Sequence, residues 1–275
     1  MKLTLKNTPP LRVDLRALSP AIGKALTQRE VERLPLTHGS QTLPLAEFFE
    51  VTFNDDDTWR IEGDLSRFDR IGWQMAAGHL VVDGPVGDYA GAGMHGGALH
   101  VKGSAGALAA CEMAGGLLEI DGDVGDFAAS TLPGSMDGMR GGSLIVRGHA
   151  GARFGDRMRR GTALVFGDAG DFLASRMVAG SIAVGGRVGA HLGYGMRRGS
   201  VVLAGGAGGA GGAGAAPQMP ATFMPALVDP VVFWQLLSRD LARHGGPFES
   251  LPARRITRHL GDVSAAGKGE LIVVS

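Results

Sequence analysis

Residues 158–199 read MRRGTALVFGDAGDFLASRMVAGSIAVGGRVGAHLGYGMRRG and carry one pattern twice. Met158, Met177 and Met196 stand nineteen residues apart, and Gly161, Gly180 and Gly199 follow each of them by three. The register extends outward. Met75, Met94, Met113 and Met139 precede these, so the seven methionines are spaced 19, 19, 26, 19, 19 and 19. Gly78, Gly97, Gly116 and Gly142, then Gly84, Gly103, Gly122, Gly148, Gly167, Gly186 and Gly205, keep the same spacings. The unit is Gly-x-h-x-h-x-Gly-x-h-Gly-x(6)-Met-x-x-Gly, with h apolar, and the single 26 is a unit with seven extra residues within Asp126–Met139.

The two h positions after each leading glycine are Leu80/Val82, Leu99/Val101, Leu118/Ile120, Leu144/Val146, Ala163/Val165, Ile182/Val184 and Val201/Leu203. Alternation with period two is a strand signal, and glycines on both sides mark tight corners. Nineteen residues are too few for a helix pair. They suit one coil of a β-solenoid, in which strands stack at about 4.8 Å. The expected fold class is therefore mainly β, with about seven coils, ladders of Val, Leu, Ile and Met inside, and small residues such as Ala105, Ala150 and Ala169 at corners.

Composition agrees. The 275 residues include 46 glycines, 44% are hydrophobic, and only 6% are aromatic, which implies a thin aliphatic core. The 27 basic and 27 acidic side chains cancel, which argues against whole-molecule attraction to nucleic acid or anionic lipid. One cysteine, Cys111, leaves no basis for a disulfide framework, structural zinc or a cysteine-held cluster. The stretch from Gly199 to Val228 is uncharged, but its glycine pairs and prolines break it too often for a membrane span. The N-terminus lacks a secretory h-region, so the expected location is cytoplasmic.

Four regions are expected: 1–60 as an α/β cap, 61–205 as the repeats, 206–220 as a Gly/Ala/Pro linker, and 221–275 as a helix and strand packed on the solenoid. In the first, Leu3 and Leu5 alternate, Thr27 and Glu30 have capping-box spacing, and Phe48–Phe53 reads as a strand. In the last, Asp229-Pro230 offers a helix start, and Val232, Phe233, Leu236, Leu237 and Leu241 follow at helical spacing. Gly245-Gly246 ends that helix, Phe233 and Trp234 are expected to anchor it, and Leu271–Val274 reads as a strand.

No catalytic constellation emerges. The eight histidines lack metal-ligand spacing, no nucleophile elbow is present, and the glycine runs lack a Gly-Lys-Ser/Thr. His79 and His100 fall one repeat apart at outward positions, with no carboxylate pair nearby in register. The outward strand face is partly apolar, which fits contact with another protein or with the chain's own C-terminal helix. Charge is more informative. Residues 1–139 sum to −8, residues 140–198 to +7 and residues 199–275 to +1. All ten basic residues of the middle block are arginine, and Arg140, Arg159 and Arg197 each follow a ladder methionine. Arginine favours bidentate recognition of carboxylates. Three readings stand: solvated turns paired locally, as Arg157 with Asp156; an Arg-rich protein interface; or a polyanion site.

The run Gly151–Gly161, then Met177–Gly180 and Gly193–Gly199, resembles the C subunit of formylmethanofuran dehydrogenases, as does the tail Arg258–Asp262 with Gly267–Glu270. The repeat alone also resembles the C-terminal domain of the glutamate synthase large subunit, a right-handed β-helix. The resemblance implies a right-handed β-helix with no active site of its own, acting as a scaffold beside formyltransferase, hydrolase and dehydrogenase-like subunits. It further implies a complex using a methanofuran-like cofactor in one-carbon metabolism. Gly, Ala and Arg richness points to the methylotroph version, a formyltransferase/hydrolase complex of formaldehyde oxidation acting on formyl-tetrahydromethanopterin. The alternatives are a tungsten or molybdenum formylmethanofuran dehydrogenase and a glutamate-synthase-like domain. In this setting Arg157, Arg159, Arg160, Arg197 and Arg198 are the candidate contacts for an acidic partner surface or the cofactor's glutamyl tail.

Overall fold

A computed structural model describes residues 1–19, 26–53, 57–205, 219–226 and 231–275. The linker expected at 206–220 lies largely outside them, and so does the Asp229-Pro230 helix start.

The fold is mainly β and is built on one thirteen-stranded sheet. From one edge its order begins Phe49–Thr52, Lys2–Leu5, Thr58–Glu62, His79–Asp83, Ala98–Val101, Leu117–Ile120 and Arg140–Val146. It continues through Arg160–Val165, Ser181–Val184, Arg198–Leu203, Lys268–Val274, Ile256–Gly261 and Met224–Pro225. From Lys2–Leu5 to Lys268–Val274 neighbouring strands run parallel, and antiparallel pairs close both edges. The repeat sets the register. Leu118 faces Leu99 on one side and Leu144 on the other, and Ile182 faces Ala163 and Val201. A second column of bridges links Leu65, Val86, Ala105, Val124, Ala150, Ala169 and Val188, so each repeat touches its neighbour at two places.

The inward side chains explain the period. All seven ladder methionines are fully buried, in one cluster with the aliphatic pairs of the strands. Glycine is required where adjacent repeats meet. A Cβ on Gly116, whose φ is +86°, would lie 2.7 Å from the carbonyl oxygen of Gly97. Side-chain acceptors also join the repeats. Asp69, Asp88, Asp126 and Asp171 each accept a backbone N–H from the next repeat at 2.8–2.9 Å. A parallel column runs through Ser104, Asp123, His149 and Asp168. These caps place acids and a histidine in fixed structural use.

Both ends add strands to the sheet. Thr58–Glu62 pairs with His79–Asp83, Trp59 opposite Leu80 and Ile61 opposite Val82, so the parallel array begins before the first ladder methionine. A separate four-stranded sheet lies in the N-terminal region, in the order Gln41–Pro44, Pro35–His38, Val13–Asp14, Phe68–Asp69. Helix α1, Gln28–Glu32, starts as its capping box requires: the Glu30 carboxylate accepts the Thr27 N–H at 2.7 Å. At the other end, helix α2, Val231–Ala242, covers the outer face of the later strands. There Ile145, Leu164, Ala183, Val202 and Ile272 form a second apolar layer with Trp234, Leu241, Phe248 and Leu251. The buried face of α2 differs from the expected one. Trp234 and Leu241 are buried, but Val232, Phe233 and Leu236 are 70%, 40% and 65% exposed. Val232, Phe233, Leu236, Leu237 and Leu241 fall at helical spacing, yet only the stripe carrying Trp234, Leu237 and Leu241 packs against the sheet. Phe233 is therefore not an anchor.

The tail motif has a structural role. Glu270, buried at 8% exposure, accepts from Arg258 Nε at 2.6 Å and from the Ser200 hydroxyl. Asp262, also buried, accepts the Gly195 N–H at 3.0 Å and the Ser264 N–H at 2.8 Å. These contacts tie the last strands to the final repeat.

Candidate functional site

The site is built by the residues that follow the ladder methionines. The amide of each donates to the methionine carbonyl of the preceding repeat: Arg140 to Met113 at 2.7 Å, and Arg159 to Met139, Val178 to Met158 and Arg197 to Met177 at 2.8 Å. These bonds set Arg140, Arg159, Val178 and Arg197 in one column, with Arg160, Ala179 and Arg198 beside it, and a register shift makes Arg140 the strand partner of Arg160. Two arginine pairs, Arg159/Arg160 and Arg197/Arg198, flank a repeat that carries only Val178 and Ala179. All four arginines are exposed and line one groove of about 610 Å³, which Asp137, Arg140 and Ala266 complete.

Charge in the groove is lopsided. Asp137 Oδ1 lies 2.6 Å from Arg159 Nε, and Glu112 Oε2 lies 3.7 Å from Arg140 Nη2. Among the described residues, no carboxylate lies within 4 Å of the Arg160, Arg197 or Arg198 guanidinium, and Lys268 pairs in register with Arg198. Like charges about one strand spacing (~5 Å) apart repel, so an incoming anion relieves the site as well as binding to it. Guanidinium groups suit carboxylates because a fork of N–H donors meets both oxygens.

Of the five arginines singled out from sequence, four meet here. Arg157 stands apart. It is half-buried, with its Nε 3.8 Å from Asp156, a carboxylate only 4% exposed that also faces Arg176 at 3.4 Å. Arg157 thus balances a buried charge. His79 and His100 do not meet either. His79 lies opposite Ala98, while His100 lies opposite Val81 and Glu119, with Nε2 3.0 Å from Asp121.

Sequence reading missed a stacked column on a corner where every residue has positive φ. Arg70 lies over Tyr89 at 4.8 Å, Arg153 lies over Phe172 at 4.5 Å and 5.7 Å from Phe127, and Phe172 stacks on His191 at 4.5 Å. The nineteen-residue spacing of Tyr89, Leu108 and Phe127, and of Arg153, Phe172 and His191, was the available signal. Burial raises the Cys111 thiol's pKa far above its ordinary range, leaving it unreactive. Among the described residues, no group of three or more His, Cys, Asp or Glu side chains could hold a metal ion, and no helix is long and apolar enough to cross a membrane.

No protein-family model matches the chain. It is 34% identical over 96 residues to the C subunit of the tungsten-containing formylmethanofuran dehydrogenase 2 of Methanothermobacter wolfeii, covering 33% of this chain and 36% of the relative. It is 38% identical over 85 residues to the C subunit of the formyltransferase/hydrolase complex Fhc of Methylorubrum extorquens, covering 31% and 32%. These alignments span about a third of the curated relatives' length. A solved structure extends the likeness to the whole chain. In the crystal structure of the formyltransferase/hydrolase complex FhcABCD from Methylorubrum extorquens with methylofuran, one chain matches at TM-score 0.89 and 37% identity, with 100% of both chains covered.

Proposed function

The chain belongs to the family of formylmethanofuran dehydrogenase C subunits, and from that membership we propose that it is the non-catalytic scaffold of a formyltransferase/hydrolase complex. The observation that carries this is the full-length likeness, at 37% identity, to a chain of a complex crystallised with methylofuran. Its partners are then the formyltransferase, hydrolase and dehydrogenase-like subunits. The assembly takes a formyl group from formyl-tetrahydromethanopterin to formate through a methanofuran-like cofactor, inside the cell. The side chains of this polypeptide support a binding role: its acids cap backbone amides, its one thiol is buried, and its arginines stand together without a nucleophile.

The repeats are each one coil of a right-handed β-helix in this reading. Support comes from the nineteen-residue parallel register, the second bridge column and the fully buried methionine ladder. The regions 1–60, 61–205, 206–220 and 221–275 serve as cap, helix body, linker and closing cover. Arg159, Arg160, Arg197 and Arg198 form the anionic contact of the scaffold. A partner's acidic surface and a glutamyl tail on the cofactor both present the carboxylates such a groove fits, while Arg157 supports the fold behind it.

The test is turnover by parts. The isolated chain is expected to show no formyl transfer and no release of formate, while the complex purified through it shows both. Turnover by the isolated chain, or a complex that assembles and turns over unchanged without it, overturns the proposal.

A further inference from the structure

We propose that the arginine groove receives an extended acidic peptide segment of another polypeptide, and that Asp137 occupies Arg159 as a displaceable internal carboxylate until the segment arrives. This rests on the reading of the groove as an anionic contact and names its ligand and its control.

Asp137 lies within the seven extra residues that lengthen one repeat to 26, a position that other repeats lack. Its own chain holds it lightly. The Asp137 N–H reaches Ser135 Oγ at 3.3 Å, Ser135 N–H reaches the Leu132 carbonyl at 3.0 Å, and neighbouring Met136 is 65% exposed. Yet its carboxylate sits 2.6 Å from Arg159 Nε, with the two side chains 40% and 46% exposed. That contact shows that the groove accepts a carboxylate. Its exposure makes the pair easy to exchange, because an ion pair open to solvent contributes little.

The spacing favours a chain over a small acid. The two arginine pairs are separated by one repeat, so they lie about 10 Å apart at ~4.8 Å per strand. One carboxylate cannot serve both. An extended peptide advances about 3.3 Å per residue with every second side chain on one face, so acidic side chains two or four positions apart, about 7 or 13 Å, bracket the distance between the pairs. Between them Val178 and Ala179 present no charge and little bulk, which leaves room for a backbone. A nucleic acid is disfavoured because the chain's charge is zero overall and the 139 residues leading into the groove sum to −8.

The experiment is fluorescence anisotropy on the full chain with a labelled hexaglutamate peptide, its hexaglutamine twin, and short polyphosphate as competitor. Hexaglutamate is expected to bind and to weaken with salt. Asp137→Asn is expected to bind it about 2–5-fold more tightly, the worth of one exposed pair, whereas Asp137→Glu, which restores a competing carboxylate, stays within about twofold of the parent. Arg160→Gln with Arg197→Gln is expected to lose about tenfold or more, with an unchanged circular dichroism spectrum. Equal binding of hexaglutamine, or an Asp137→Asn affinity no tighter than the parent, overturns the proposal. So does polyphosphate displacing the probe more readily than unlabelled hexaglutamate, or an oligoglutamate joined through its side-chain carboxyls, a source of carboxylates that is not a polypeptide segment, displacing it more readily than the main-chain-linked peptide. None of these outcomes depends on co-purification, so the ligand can fail while the scaffold role stands, and the reverse.

Discussion

Gly116 shows at the scale of one residue why the sequence is ruled by glycine. Its φ of +86° is a left-handed region that costs other residues about 1–2 kcal/mol, and an added Cβ would press into the backbone of Gly96 and Gly97. Backbone on the other side cannot turn away as a flexible side chain can. Gly116→Ala is therefore expected to lower stability by at least ~2 kcal/mol, read as a drop in the urea midpoint; an unchanged midpoint contradicts the close approach. Asp168 shows the second joint between repeats. The Arg187 N–H donates to its Oδ1 at 2.7 Å, and this bond, with the Arg187 guanidinium, holds its carboxyl below the usual carboxylate range despite partial burial. A lowered native pKa gives stability that is complete above the unfolded value of about 3.9 and is lost as pH falls through the native one. Thermal midpoints are expected to be flat from neutral pH to about 5 and to fall below about 4, less steeply in Asp168→Asn. Coincident profiles for parent and variant would rule out this contribution.

At the scale of elements, the strands were legible because each inner residue repeats against its own copy, so period alone fixes the register. Leu118 faces Leu99 because both are the second residue after a leading glycine. Elements without a copy were harder. Thr58–Glu62 lies 21 residues before its partner and lacks the methionine, and Ile256–Gly261 pairs antiparallel with the last strand. Nothing local in either sequence announces a distant partner. Helix α2 makes the same point for burial: spacing marks its apolar residues but not which stripe meets the sheet. Leu241→Ala is expected to cost about 2–5 kcal/mol, because the side chain is 1% exposed, whereas Leu236→Ala, at a 65% exposed position, is expected to stay within about 0.5 kcal/mol. Equal losses in chemical denaturation would place the helix in another orientation. The groove divides likewise. Its arginines were legible because they keep register with the methionines. Asp137 was not, since an insertion has no period and its partner is set only when the loop folds.

On the scale of the whole molecule, zero net charge hides a separation. The acids of the first half are largely engaged in capping and pairing, as Asp83 is between Arg60 and Lys102, while five of the ten arginines of the middle block gather at one groove. Acids engaged by their own chain beside arginines open at one groove leave that groove free to meet the carboxylates of a neighbour. Under the proposed scaffold role that neighbour is another subunit of a formyltransferase/hydrolase complex, the kind of assembly to which the matching solved chain belongs. Native mass spectrometry of the affinity-tagged chain, drawn from cells that express its natural partners, tests this most directly. The expected result is one heteromeric species that holds this chain with formyltransferase and hydrolase subunits and loses mass only when subunits are ejected. Recovery of the chain solely at its own 28.4 kDa, or at whole multiples of it, would contradict the account.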